Sequence, residues 1–302
     1  MRYQDITKKK QRIIRLLWTL SILLLGLALS GWLSPVGAEV TLCGKTLEPV
    51  RDGFYRLRGQ LTCSFVEQEV EEILYIDEEG AKFDLGRFRA NGDGKINGIL
   101  IEADDVIIEG GTFKNCDTAL NVYKSDRCEI EKFKAIDSSG NAITIRGNDN
   151  SIVKSLCLKA GEDCFQLRGD GIIAEWNTAI WHGTIGKGQG IQLRGQGYAR
   201  KCSVFGGGGE GFQIHEDSSD VTIERCLAIN NDKGGIEVKE LKEDATGNTI
   251  KHNIAFANGD GINSFDLIDA NDNCRVCDLL NNCIYNNWIE NKFRSSNQPC
   301  IK

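Results

Sequence analysis

Written as apolar and polar positions, the chain repeats one phrase: a small residue, an apolar one, a variable one and a second apolar one. It stands at Gly98-Ile99-Leu100-Ile101, Ala119-Leu120-Asn121-Val122, Ala142-Ile143-Thr144-Ile145 and Cys164-Phe165-Gln166-Leu167. It recurs at Gly190-Ile191-Gln192-Leu193, Gly211-Phe212-Gln213-Ile214 and Gly235-Ile236-Glu237-Val238, and Gly261-Ile262-Asn263 opens an irregular eighth. Successive starts lie 21, 23, 22, 26, 21, 24 and 26 residues apart. A second phrase, such as "IEKFKAI" from 130 or "IERCLAI" from 223, begins 11 or 12 residues before the next start. Period-2 alternation in such short runs predicts strands joined by turns, with no amphipathic helix. A coil of about 23 residues cannot close a core alone, so the repeat predicts a solenoid in which coils stack and share one.

In a parallel ladder, equivalent residues of successive coils lie about 4.7–4.9 Å apart. Alternation turns the apolar positions of each phrase inward. The position between them faces outward and reads Leu100, Asn121, Thr144, Gln166, Gln192, Gln213, Glu237, Asn263. The residue after the phrase also faces outward and reads Glu102, Tyr123, Arg146, Arg168, Arg194, His215, Lys239, Phe265. Five consecutive coils therefore present a basic or titratable group in one file, beside a file of amides. Like charges about 5 Å apart repel by about 1 kcal/mol even in water-like dielectric, so something must offset the file. Flanking acids such as Glu162, Asp163, Glu216 and Asp217 are one answer; a bound repeating anion, held in bidentate fashion by each guanidinium, is the other.

Composition sharpens the contrast. Lys8, Lys9, Lys10, Arg12 and Arg15 precede an apolar run from Leu16 to Leu29, and Val36-Gly37-Ala38 offers a small-residue cleavage site, so residues 1–38 are expected to be a signal peptide. An uncleaved anchor is the alternative, since the apolar stretch reaches Leu33. Residues 1–38 hold six of the 36 basic and one of the 43 acidic residues, leaving 30 against 42 and a net charge of −12 on the remaining 264 residues. That charge argues against nucleic acid as a partner, and against membrane once the signal is cleaved, unless basic residues concentrate locally. The expected location is extracytoplasmic, either secreted or periplasmic.

The repeat, with "GILIEADDVIIEGGTF" (98–113) and the preceding "CGKTL…YRLRGQLTC", resembles the right-handed parallel β-helix, or pectin lyase-like, superfamily. The resemblance implies an all-β solenoid of about eight coils with a three-sheet cross-section and disulfide-stabilised end caps. On that plan residues 39–90 form the N-terminal cap, 91–265 the helix and 266–302 the C-terminal cap. "AGEDCFQL" (160–167) also resembles the "GDDC" coil of polygalacturonases. Coil by coil, Asn141 stands where those enzymes have an aspartate, Glu162 and Asp163 fall on their paired aspartates, Gln189 on their histidine, and Gln213-Ile214-His215 on their Arg-Ile-Lys. Only the acid pair survives, and Asn141 cannot replace a base, so inverting hydrolysis is not expected.

β-Elimination fits the family better. Related lyases use calcium with Arg or Lys, which would give Ca²⁺ to the oxygens of Glu162 and Asp163 and leave His215 to take the α-proton. Arg146, Arg168, Arg194 and Lys239 would hold the carboxylates of an acidic polysaccharide, and Gln166, Gln192 and Gln213 its hydroxyls. His182, His215 and His252 fall on different coils without metal spacing. Two functions stay open: a protein that binds and modifies an acidic polysaccharide, by lyase or epimerase chemistry, or a non-catalytic structural or interaction solenoid of the cell envelope.

Twelve cysteines in an exported chain argue for disulfides. Cys43 and Cys63 bracket the N-terminal cap that the resemblance implies and are paired. Cys274, Cys277, Cys283 and Cys300 suit two disulfides of a C-terminal cap, with a four-thiolate zinc site as the alternative. Cys202 and Cys226 share a column of neighbouring coils, as a bridge or as stacked thiols. Cys116, Cys128, Cys157 and Cys164 have no assignment from sequence.

Overall fold

The computed structural model describes residues 39–64, 70–184, 188–239, 247–259, 266–269, 286–293 and 296. The expected signal segment, the irregular repeat at 261–263, Phe265 and the four C-terminal cysteines lie outside them. The described residues form a right-handed parallel β-solenoid of about eight turns without a helix.

Three sheets run its length. Sheet 1 contains the repeated phrase, in the ladder Leu74, Ile99, Leu120, Ile143, Phe165, Ile191, Phe212, Ile236, Leu267. Its last strand is Leu267–Asp269. Its first, Glu72–Ile76, precedes the first phrase and is covered by the antiparallel Val40–Leu42, which closes the open edge at that end. Sheet 2 stacks Tyr55, Phe83, Ile108, Ile130, Ile152, Ala174, Ala199, Ile223, Ile250 and Trp288 inward. Sheet 3 stacks Leu61, Ala90, Phe113, Ala135, Cys157, Ala179, Val204, Ala228, Ala255 and Phe293. These inward files make the core, with Phe83, Phe113, Phe133, Phe165 and Phe212 essentially fully buried.

The second phrase is therefore a corner between two strands. In "IVKSLCL", Ile152 and Val153 end a strand of sheet 2, Lys154 turns the chain at φ 53°, and Leu156 begins a strand of sheet 3. Lys132, Trp176, Lys201, Arg225 and His252 take the same left-handed conformation in their coils. The next residue points inward and includes Ser155, Asn177, Cys202, Cys226 and Asn253. Asn177 shows why a polar group is tolerated there: its Oδ1 accepts from Ser155 N–H at 2.9 Å and its Nδ2 donates to Ile152 carbonyl at 2.8 Å. Buried backbone groups freed by the turn are thus paired.

Cys43–Cys63 is a disulfide, and a second joins Cys157 to Cys164 inside one coil, with Cα atoms 5.6 Å apart. Cys202 and Cys226 are stacked thiols, each donating to backbone carbonyls, and Cys116 and Cys128 are buried thiols pushed up to about 12 and about 11 by burial.

The phrase "LRG" follows from stacking. Gly147, Gly169 and Gly195 come directly after Arg146, Arg168 and Arg194 and have φ of 144°, 145° and 106°. A Cβ on Gly169 would lie 1.8 Å from Gly147 carbonyl oxygen, and one on Gly195 would lie 2.3 Å from Gly169 carbonyl oxygen. Gly169→Ala should lower stability by roughly 3 kcal/mol or more, through backbone strain and overpacking together. Denaturant unfolding of the variant checks it; a midpoint equal to the parent's contradicts the close-approach argument.

Candidate functional site

The outer wall of sheet 1 carries the candidate site. Thr144, Gln166, Gln192, Gln213 and Glu237 stack in one file, and Tyr123, Arg146, Arg168 and Arg194 in the next. His215 and Lys239 continue the second file, each donating its backbone N–H to the preceding coil, at Leu193 and Ile214 carbonyls.

Along this file the electrostatics change. Arg194 is paired with Asp217, which neutralises it as the flanking-acid reading expects. Arg146 and Arg168 are exposed, and among the described residues neither forms an ion pair. Elsewhere stacked cations meet acids of neighbouring coils: Arg127 with Asp104 and Asp105, Lys132 with Glu109, Lys154 with Glu131, and Arg200 with Glu175. Beside Arg146 and Arg168 opens a cleft of about 470 Å³, lined also by Tyr123, Lys124, Asp126 and Asn148. Asn121 Oδ1, one coil before Thr144, is buried without a hydrogen-bond partner.

The amide file is less open than alternation suggests. Gln213 is buried, because the long side chains of this wall bond along it. Gln192 Nε2 donates to Gln213 Oε1 at 2.9 Å and to Gln189 Oε1 at 3.2 Å, while Gln213 Nε2 donates to Glu237 Oε2 at 2.6 Å. Gln189 Nε2 donates to Glu210 Oε2 at 3.0 Å, and Lys233 Nζ to Glu210 Oε1 at 3.0 Å. Burial, reinforced by the Glu210 charge, raises Glu237 above the usual carboxylate range. Sequence reasoning missed Glu210 and Lys233: both lie outside the phrase, and no spacing rule brings them to it.

Glu162 and Asp163 stand in different environments. Glu162 is exposed, whereas Asp163 is buried and its oxygens accept from Gln189 N–H at 2.6 Å and Gln166 Nε2 at 3.2 Å. Burial raises the Asp163 carboxyl, and the Glu162 charge adds only a minor push. Asn141, at the position where polygalacturonases have an aspartate, accepts from Asp163 N–H at 2.9 Å and holds that turn. This arrangement does not fit Ca²⁺ on the Glu162–Asp163 pair, because one partner points to solvent and the other is already bonded. Among the described residues the donors that converge are His215, Glu216 and Asp217, whose ligand atoms lie within 4.8 Å of one another, though Asp217 also holds Arg194. Burial, then the Arg194 charge, lowers His215, and its Nδ1 lies 3.7 Å from Asp217 Oδ2 without a hydrogen bond. His182 is buried in the core, with Nδ1 2.7 Å from Gly188 carbonyl oxygen.

The sequence profile described as a right handed beta helix region matches residues 97–289. Among solved structures, the A-module of mannuronan C-5 epimerase AlgE6 from Azotobacter vinelandii aligns with a TM-score of 0.50 at 15% identity, covering 72% of this chain and 63% of the module. The chain thus spans less than two thirds of that module. Pectate lyase Pel9A aligns with a TM-score of 0.30 at 14% identity, covering 72% of this chain and 58% of the lyase. The periplasmic alginate epimerase AlgG aligns at 0.24 and 11%, covering 80% and 78%. No curated protein matches the sequence. At these identities the likeness is one of fold.

Asp163 and Glu237 bind protons more tightly in the folded chain than in the unfolded one. Between the two pKa values the native state holds the extra proton, so stability falls as pH rises through that window, from about pH 4 upward. Glu237→Gln keeps the bond from Gln213 and should flatten the decline. Unfolding midpoints across that range check it; a slope equal to the parent's excludes Glu237.

Proposed function

The chain belongs to the right-handed β-helix family, and on that premise we propose that it acts outside the cytoplasm and binds an acidic polysaccharide along the outer wall of sheet 1. The observation that carries this reading is the unpaired stack of Arg146 and Arg168 in adjacent coils, where the stacked cations Arg127, Lys132, Lys154 and Arg200 have acids of neighbouring coils beside them. Two guanidinium groups one coil apart repel each other, and an anion with a carboxylate on each repeating unit relieves that repulsion at every step. The planar fork of Arg suits a carboxylate, and Tyr123 and Lys124 line the same cleft. Gln166 and Gln192 supply amides beside this file for sugar hydroxyls. The name of the AlgE6 module, a mannuronan epimerase, agrees with this substrate class.

Should the chain modify its ligand, elimination suits the wall better than hydrolysis. Hydrolysis with inversion needs two carboxyls facing one bond across a water, and Glu162 and Asp163 are divided between solvent and interior. His215, whose proton affinity burial lowers, has the character of a base, and Arg194 beside it would serve as carboxylate neutraliser by exchanging Asp217 for the uronate. His215 would take the proton α to the uronate carboxylate. The electron pair then forms the new double bond as the glycosidic C–O bond breaks, and the departing oxygen is protonated.

Arg146→Ala with Arg168→Ala should elute from an immobilised polyuronate at clearly lower salt than the parent, with unchanged thermal unfolding; equal retention removes the binding reading. Incubation with soluble polyuronates, with and without added Ca²⁺, is followed by ultraviolet absorbance of the unsaturated product. Retention without any rise in absorbance assigns a non-catalytic binder.

A further inference from the structure

Sheet 3 turns a very different face outward. One outward file reads Ile136, Leu158, Ile180, Phe205, Ile229 and Phe256 over six consecutive coils. The file beside it adds Leu156, Leu227 and Ile254. Ile254 and Phe256 are 44% and 54% exposed, and the rest are half-buried. Apolar side chains in contiguous array on a soluble surface mark an interaction site, whereas scattered ones do not.

Charge on this face runs opposite to that of the molecule. From Gln60 to Lys292 neither outward file of sheet 3 contains an acid, although 42 of residues 39–302 are Asp or Glu. Arg89, Lys114 and Lys134 instead gather at one end, where Lys114 pairs with Asp137 in the corner beside the file, and Lys292 stands at the other. Among the described residues Arg89 and Lys134 form no ion pair. These three N-terminal cations border a depression of about 430 Å³ that is also lined by Ile136, so it opens directly onto the apolar file. Trp176, 51% exposed, lies in the corner before the strand Thr178–His182, and Trp181, 59% exposed, is that strand's penultimate residue. Both sit in left-handed corners that aim them away from the core, and Lys201 lies 4.3 Å over the Trp176 ring.

We propose that the outer face of sheet 3 docks on an anionic lipid surface, with Ile180, Phe205, Phe256 and Trp181 against the acyl boundary and Arg89 and Lys134 on headgroup phosphates. The amphipathic rings of tryptophan suit the interface between apolar and wet regions. Binding of this kind scales with buried apolar area plus attraction to anionic headgroups. Net charge, which argued against membrane, averages over a surface whose basic residues are concentrated here. A second copy of the chain is a poorer occupant: residues 39–302 carry a net charge of −12 and repel their like, and the acid that borders this face, Asp137, is already paired with Lys114 and Lys159.

The test is flotation of the full chain with vesicles of phosphatidylcholine alone and of phosphatidylcholine with phosphatidylglycerol. Parent, Trp181→Ala/Phe256→Ser and Arg89→Glu/Lys134→Glu chains are compared; all four positions are solvent-facing, so folding is expected to persist and is checked by circular dichroism. Expected are preferential flotation with the anionic vesicles, weakened by added salt, and a loss of about tenfold in partitioning for either double variant. Tryptophan emission of the parent should shift to shorter wavelength with the anionic vesicles, and the Trp181→Ala/Phe256→Ser chain should lose most of that shift. Equal flotation of parent and variants overturns the proposal and assigns lipid binding to the apolar segment before Glu39. Release by inorganic phosphate, but not by chloride of matched ionic strength, with no change for Trp181→Ala/Phe256→Ser also overturns it, leaving a phosphate site only. A stable lipid-free dimer that Trp181→Ala/Phe256→Ser dissociates overturns it in favour of self-association.

Discussion

Hydrogen bonding from each coil to the next fixes a rise of about 4.7–4.9 Å and a register that allows no slip. Everything else in the molecule answers to that constraint. An inward position must suit the same position in two neighbouring coils, so Tyr55 stacks on Phe83 with ring centroids 4.7 Å apart, and Asn177 caps the corner of the coil before it. Outward positions become files, and a file multiplies whatever property its residue type carries. The three walls have accordingly diverged. Sheet 1 is polar and partly cationic, sheet 2 carries compensated ion pairs, and sheet 3 is apolar with a basic end.

Much of this was legible because the repeat states the register. The small–apolar–variable–apolar phrase predicted which residues of sheet 1 would lie above one another, and Arg146, Arg168 and Arg194 do so. Other features were hidden for identifiable reasons. Residues in left-handed corners such as Lys154 are not glycines, so nothing in the sequence marks the bend, and a corner between two strands reads as one alternating strand. The last strand of sheet 1 is Leu267–Asp269, displaced beyond the irregular phrase at 261 that stood for it. Burial of Gln213 depends on how far Gln192 and Glu237 reach along the wall. Cys157 and Cys164 are seven residues apart, and only the turn between their sheets brings them together.

The candidate site shows how an outer file can be tuned without altering the core. Arg168 and Arg194 occupy identical places in adjacent coils and share their backbone geometry, yet the second is quenched by Asp217 and the first is not. The difference arises in the coil after Arg194, where the chain leaves the sheet at His215-Glu216-Asp217 and returns an acid to the wall. Polarity on this scaffold is thus decided by the loops between strands, while the strands decide only spacing.

Two contacts among the described residues depart from the rule that a coil communicates with its immediate neighbours: Ser139 Oγ donates to Gly94 carbonyl at 2.7 Å, and His182 reaches Asn231 through the core. His182 and Asn231 stand two coils apart in one inward column, with Gly207 between them; a Cβ on Gly207 would lie 2.3 Å from His182 Nε2, which instead reaches Asn231 Oδ1 at 3.0 Å. Three storeys are riveted through a gap the middle one leaves open. A solenoid peeled from one end should therefore release these storeys together, as a single block, where a simple stack would shed them one by one.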